Sequence, residues 1–269
     1  MNLRTRGNMK KLLLFLTVAT STLLVGATAV TYANIDDQTN VDTGGISTGW
    51  GSCTGSCAGG GVATGYSMSW PQATPSLDGS SREFFISGPS YSDALWWYKV
   101  GPNNNVSIFQ FDFWLNVDIN ASSYAQAMEF DAFQFTRGRE YMFGTQCDYA
   151  QGYSKGVWEV ASRGAGAWIS TGISCPGFVA NDWYHITWNF HRGSDNRVYY
   201  DSLTVAHYTA DGKTAIGSAT TYGVNLVEPS TPLPRGWTDN MGVQFQLDTN
   251  AIGGGHYEMW VDKVTLNAS

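Results

Sequence analysis

Basic side chains are scarce in this 269-residue chain: 15 lysines and arginines stand against 22 aspartates and glutamates, for a formal net charge of −7. No basic stripe is present to displace counterions from a phosphate backbone, which excludes nucleic acid as a partner. Sustained helical periodicity is also missing, so an α-helical domain is not expected. Cysteine and histidine number four each. The spacing in "CTGSC" lacks the two-residue gap of a zinc knuckle, and His185, His191, His207 and His256 lie far from it, which argues against a zinc site. Helix-length apolar runs are confined to the first 33 residues.

Those 33 residues read as an export signal. "MNLRTRGNMKK" is a basic head, residues 12–30 form the apolar stretch, and "TYA" before Asn34 offers small residues for cleavage. A membrane anchor is the competing reading, but threonine and serine dilute the run and no stop-transfer charges follow. The expectation is a secreted, extracellular protein with no membrane association after cleavage. Export makes disulfides the default for the four cysteines. Three pairings are open, the simplest being Cys53 with Cys57 and Cys147 with Cys175.

From residue 34 to 65 the chain is rich in glycine, serine, threonine and aspartate and reads as an N-terminal arm; residues 66–269 read as one domain. Within that domain, short runs such as "VSIFQFDFWLNVD", "WYHITWNFHR", "MGVQFQLDT" and "HYEMWVDKVTL" are separated by turn residues. Many strands with regular turns predict an all-β sandwich or jelly roll of two antiparallel sheets.

Two-residue alternation sorts the side chains. In residues 107–118, Phe109, Phe111, Phe113, Leu115 and Val117 share one face; Gln110, Asp112, Trp114 and Asn116 share the other. Met241, Val243, Phe245 and Leu247 face inward opposite Gln244, Gln246 and Asp248, and Tyr184, Ile186, Trp188 and Phe190 do the same opposite His185, Thr187, Asn189 and His191. The outer faces carry amides, carboxylates and indoles but almost no lysine or arginine. Aromatic rings stack on sugar rings and planar amides pair with hydroxyls, so such a surface suits a polysaccharide. A merely solvated face is the plainer explanation. Gln110, Asp112, Trp114, Asn116, Gln146, Gln244, Gln246 and one of the adjacent Trp96 and Trp97, taken as Trp97, are the expected sugar contacts.

One strand resists this sorting. In "AQAMEFDAFQF", strict alternation puts Glu129 and Asp131 on the same side as Phe133 and Phe135. A β-bulge at Ala132–Phe133 would repair the pattern, sending the phenylalanines inward and leaving Glu129, Asp131 and Gln134 on the outer face. Carboxylates at i and i+2 repel, which raises the pKa of at least one, as a glycosidase site requires.

"EFDAFQ" resembles the E-x-D-x-x-E signature, carried on a bulged strand, of laminarinase- and lichenase-type retaining β-glucanases in the concanavalin A-like lectin and glucanase superfamily. The resemblance implies a jelly roll of two curved antiparallel sheets, with Glu129 in the nucleophile's place and Asp131 in its helper's. Gln134 stands where those enzymes carry the acid/base glutamate, and an amide cannot donate the proton. Asp112, Glu140, Asp248 and Glu258 are the candidate substitutes. Asp262 lies where some related glucanases place a structural calcium ligand, and "LDTN" could add calcium ligands; no other cofactor is expected. "GYSKG", residues 152–156, fits G-x-S-x-G but lacks the strand-to-helix context and reads as a turn. Two functions follow: a glycoside hydrolase acting on a β-linked polysaccharide, which the clustered carboxylates favour, and a lectin-like protein that binds through the same cleft without chemistry.

Overall fold

The computed structural model describes residues 28–149, 156–164, 166–175, 177–229, 232, 234 and 238–269. Residues 1–27, most of the expected export signal, and 152–155 of "GYSKG" lie outside the described residues.

In chain order the strands are β1 Val30–Tyr32, β2 Gly49–Thr54, β3 Gly61–Val62, β4 Gly65–Gln72, β5 Ser81–Ser87, β6 Ser92–Gly101, β7 Ile108–Val117 and β8 Ala125–Thr136. They continue as β9 Arg139–Phe143, β10 Thr145–Asp148, β11 Val157–Ser162, β12 Ala167–Ser174, β13 Trp183–Arg192, β14 Val198–Tyr208, β15 Thr220–Val227, β16 Asn240–Thr249 and β17 His256–Ala268. The first sheet runs β15-β14-β13-β7-β17-β5-β4, with β1 also on β17. The second runs β12-β11-β10-β8-β16-β6-β2, with β9 on β8 and β3 on β6. Apart from the short β3, whose pairing with β6 is parallel, the ladders are antiparallel.

The sheets pack face to face through the side chains that alternation assigns inward. Phe113 of β7 meets Phe130 of β8 at 5.0 Å between ring centroids, Phe109 meets Phe143 at 4.9 Å, and Trp188 meets Trp158 at 5.7 Å. Burial of this aromatic layer is the main source of stability, at about 1.5–3 kcal/mol for each large side chain. The inward sets expected for β7, β13 and β16 are all buried. Disulfides join Cys53 to Cys57 and Cys147 to Cys175.

Parts of the expected signal and arm join the sandwich. Val30–Tyr32 pairs with Leu266–Ala268, and β2 forms the edge of the second sheet beside β6. Ile35, Asp36 and Trp50 are buried. Asp36 accepts the Val264 and Lys263 N–H groups, tying this segment to the last strand.

The bulge expected at Ala132–Phe133 does not occur. Ala127 to Phe135 pair in unbroken register with Asp248 to Asn240 of β16, and Ala132 to Thr136 pair with Phe143 to Arg139 of β9. A two-residue turn with positive φ at Arg137 (53°) and Gly138 (69°) fixes the β8–β9 register, as such hairpins do. Strict alternation therefore holds. Glu129, Asp131, Phe133 and Phe135 face outward together, and Gln134 faces the core.

Candidate functional site

A cleft of about 1000 Å³ opens on the outer face of the second sheet, with Glu129, Asp131, Phe133, Gln244, Gln246 and Trp97 among its lining residues. Phe133 and Phe135, which the sequence reading sends to the core, instead stack on each other at 4.9 Å and form an apolar stretch of the cleft.

The floor is built from directly opposed residues. Glu129 of β8 lies across from Gln246 of β16, and Asp131 from Gln244. Gln246 Nε2–H donates to Glu129 Oε1 at 2.8 Å and to Asp248 Oδ1 at 2.9 Å. Gln244 Nε2–H donates to Asp131 Oδ2, and the Thr145 N–H reaches Asp131 Oδ1 at 2.7 Å. Each carboxyl is thus oriented by an amide, which fixes the hydrogen-bonding directions it offers to the cleft.

Burial, together with the charges of Asp248, Asp131 and Asp93, pushes the half-buried Glu129 well above the ordinary carboxylate range. Burial raises Asp131 to about 7 against the pull of the Thr145 and Gln244 N–H groups. Behind Gln246, Asp248 hydrogen-bonds Asp93; burial raises both, Asp93 to about 7. Carboxyl groups this close resist ionisation, because ionising all of them would stack uncompensated charge. The cations nearby are engaged: Arg163 Nη2 pairs with Glu140 at 3.0 Å, and Lys99 Nζ with Asp42 at 2.8 Å.

Trp96 and Trp97 point to opposite faces. Trp96 is core, whereas the Trp97 indole lies over Gly51, where an added Cβ would come within 2.4 Å of the ring. The absence of a side chain at Gly51 is what lets the indole settle there.

The remaining expected site residues are divided between the sheets. Gln146 sits opposite Glu129 on β10 and donates to Glu159. Gln110, Asp112, Trp114 and Asn116 do not reach the cleft, because β7 belongs to the first sheet and its outer face points the other way. There Gln110 bonds Asn189, Asp112 accepts from His185 and Thr187, Trp114 stacks on His185 at 4.7 Å, and Asn116 is buried against the Asn181 carbonyl. Gln134 is fully buried, and its Nε2 donates to the Asn103 and Val106 carbonyls at 2.8 and 3.1 Å. Periodicity assigns a face to each residue but cannot say which sheet owns the strand.

Among the substitutes considered for the proton donor, Glu140 lines the cleft and Asp248 stands behind Gln246; Asp112 and Glu258 belong to the first sheet. Asp262 is buried, with Oδ2 accepting from Leu77 N–H and Ser76 Oγ. No cluster of three histidine, cysteine, aspartate or glutamate side chains able to hold a metal is found among the described residues. No helix among them is long and apolar enough to cross a membrane. Asp93 and Asp42 were not legible as site residues, since each joins the site only through a partner distant in the chain, Asp248 and Trp97 respectively; Arg163 lines the cleft without any local motif to mark it.

No family model matches the chain, and no curated protein matches it. Among solved structures it is similar to peanut lectin, at 10% identity over 90% of this chain and 98% of that one, with a TM-score of 0.48. It is similar also to basic winged bean lectin, at 7% identity over 90% and 99%, TM-score 0.48. A third likeness is to a carbohydrate esterase from Shiga toxin-encoding bacteriophage phi24B, at 15% identity over 82% and 90%, TM-score 0.41.

Proposed function

We propose that this chain binds a carbohydrate in the cleft of its second sheet, in the manner of a lectin. The observation that carries the reading is the floor itself: two carboxyl–amide pairs, Glu129 with Gln246 and Asp131 with Gln244, set beside the indole of Trp97. Oriented carboxyl and amide groups match neighbouring sugar hydroxyls, and an indole matches the apolar face of a sugar ring. The two disulfides agree with an exported protein.

A hydrolytic reading is the second. It is favoured by Glu129, a carboxyl lining the cleft whose pKa is raised by burial and by neighbouring carboxylates, the direction a proton donor needs. The glucanase pattern does not supply its partner, because the side chain three residues after Asp131 is Gln134, in the core. Incubating the protein with insoluble and soluble β-glucans while reading retention and new reducing ends separates the two. Retention without products supports the lectin reading; products that vanish in Glu129→Gln establish hydrolysis.

A further inference from the structure

We propose that Asp42, in the segment the sequence presents as a featureless arm, is a positioning residue of the cleft: it holds Trp97 in the orientation that meets a sugar ring. The inference rests on the carbohydrate reading of the cleft and names a residue through which that site is built.

Asp42 Oδ2 accepts the Trp97 Nε1–H at 2.8 Å and lies 2.8 Å from Lys99 Nζ. Trp97 and Lys99 stand two apart on β6, on its outward face, so one carboxylate fastens both. Its other oxygen is occupied as well: Oδ1 accepts the Gly44 N–H at 2.8 Å and the Ser47 hydroxyl at 2.9 Å. Burial alone would raise this carboxyl, but the bonds from Lys99, Trp97, Gly44 and Ser47 bring it down to about 2, so it stays an anionic acceptor at any physiological pH.

The loop that carries Asp42 is itself tied down. Its ends are joined by Trp50 N–H to Asn40 O and Asp42 N–H to Trp50 O, both at 2.8 Å. From β16, Asn240 Nδ2 reaches the Gly45 and Ser47 carbonyls at 3.3 Å, and Gly45 lines the cleft. The loop also exposes Val41 and Ile46, at 69% and 63%. An indole resting over Gly51 has no side chain beneath it to fix its rotation, so the N–H bond to Asp42 supplies that restraint. A charge-assisted bond of this kind holds a ring in one rotamer, and a preset ring spends less entropy when a ligand lands on it.

The test is a double-mutant cycle read by titration calorimetry with 1,3- and 1,4-linked glucohexaoses, alongside the Trp97 indole N–H resonance. Asp42→Ala is expected to move that resonance and weaken binding roughly tenfold. Trp97→Phe, which keeps a ring but removes the donor, is expected to weaken it similarly, and the double variant no further. Should Asp42→Ala fail to fold, Asp42→Asn, which lacks the charge, replaces it. Full additivity of the two changes, or an unaltered affinity in Asp42→Ala, would overturn the inference while the carbohydrate reading stood. Absence of binding by the unaltered protein to every glycan of a broader panel would overturn both.

Discussion

Glu129 and Gln246 face each other across the β8–β16 ladder, and a single amide N–H₂ group of Gln246 serves two carboxyls, Glu129 at 2.8 Å and Asp248 at 2.9 Å. The cleft floor is therefore one connected unit: Asp93 bonds Asp248, Asp248 accepts from Gln246, and Gln246 orients Glu129. Replacing Gln246 by leucine removes the donor to both carboxyls. Buried acceptors left without partners cost about 1–3 kcal/mol, so the melting temperature should fall and glycan affinity with it. Thermal denaturation and calorimetry on this variant check both effects.

Protons bound by this unit set the response of stability to pH. Asp131 and Asp93 have folded-state values near 7, above the ordinary 3.8, and burial leaves Asp36 near 7 as well. Groups raised in this way take up protons on folding. Their contribution is complete below about pH 4 and is lost as pH rises towards 7. Asp42, held at about 2, acts in the opposite sense and loses its contribution only in strong acid. The melting temperature should therefore decline from about pH 4 to 7, and Asp131→Asn should flatten that decline. A profile that rises across this interval contradicts the assignment.

Gly51 offers a test of the indole's seat that leaves every polar group in place. In Gly51→Ala the new Cβ would lie 2.4 Å from the Trp97 ring, so the indole must move. Affinity for a retained glycan should drop by roughly tenfold, about 1.4 kcal/mol, while the edge position of β2 keeps the loss of stability small. Tryptophan fluorescence and calorimetry read the two effects separately.

Gln134→Glu would restore the glucanase signature in sequence, yet it should not create an enzyme. Position 134 is enclosed between the sheets, where the present amide donates to the Asn103 and Val106 carbonyls. A carboxylate there loses both bonds to those carbonyls and sits among acceptors beside Arg192, whose Nη2 donates to the same Val106 carbonyl at 3.3 Å, for a net loss of about 1–3 kcal/mol. The expected result is a destabilised protein that releases no reducing sugar; activity in a fully folded variant would revive the bulged-strand geometry.

That position shows where the sequence stops being legible. Alternation correctly assigned inner and outer faces for β7, β13 and β16, because ordinary core strands keep phenylalanine and leucine on one side. Alternation holds at β8 as well; what misled there was the expectation that rings turn inward, since Phe133 and Phe135 stack in the cleft beside carboxylates. A ligand-facing surface legitimately mixes rings with charge, so a bulge inferred to rescue those rings was unnecessary. Trp97, Gln244, Gln246, Glu129 and Asp131 were identifiable as outward polar and aromatic residues, but Gln110 and Trp114 carry the same pattern on the opposite sheet. Asp42 and Asp93 gave no local signal, since their partners are 55 and 155 residues away in the chain.

The central question is whether the cleft of the second sheet takes a sugar chain. Calorimetry of the unaltered protein and of Trp97→Ala against a panel of soluble glycans, with reducing ends measured on the same samples, decides it. The expected result is saturable binding to at least one glycan, weakened roughly tenfold or more in Trp97→Ala, with no new reducing ends. Binding to none of them, or binding indifferent to Trp97, contradicts it.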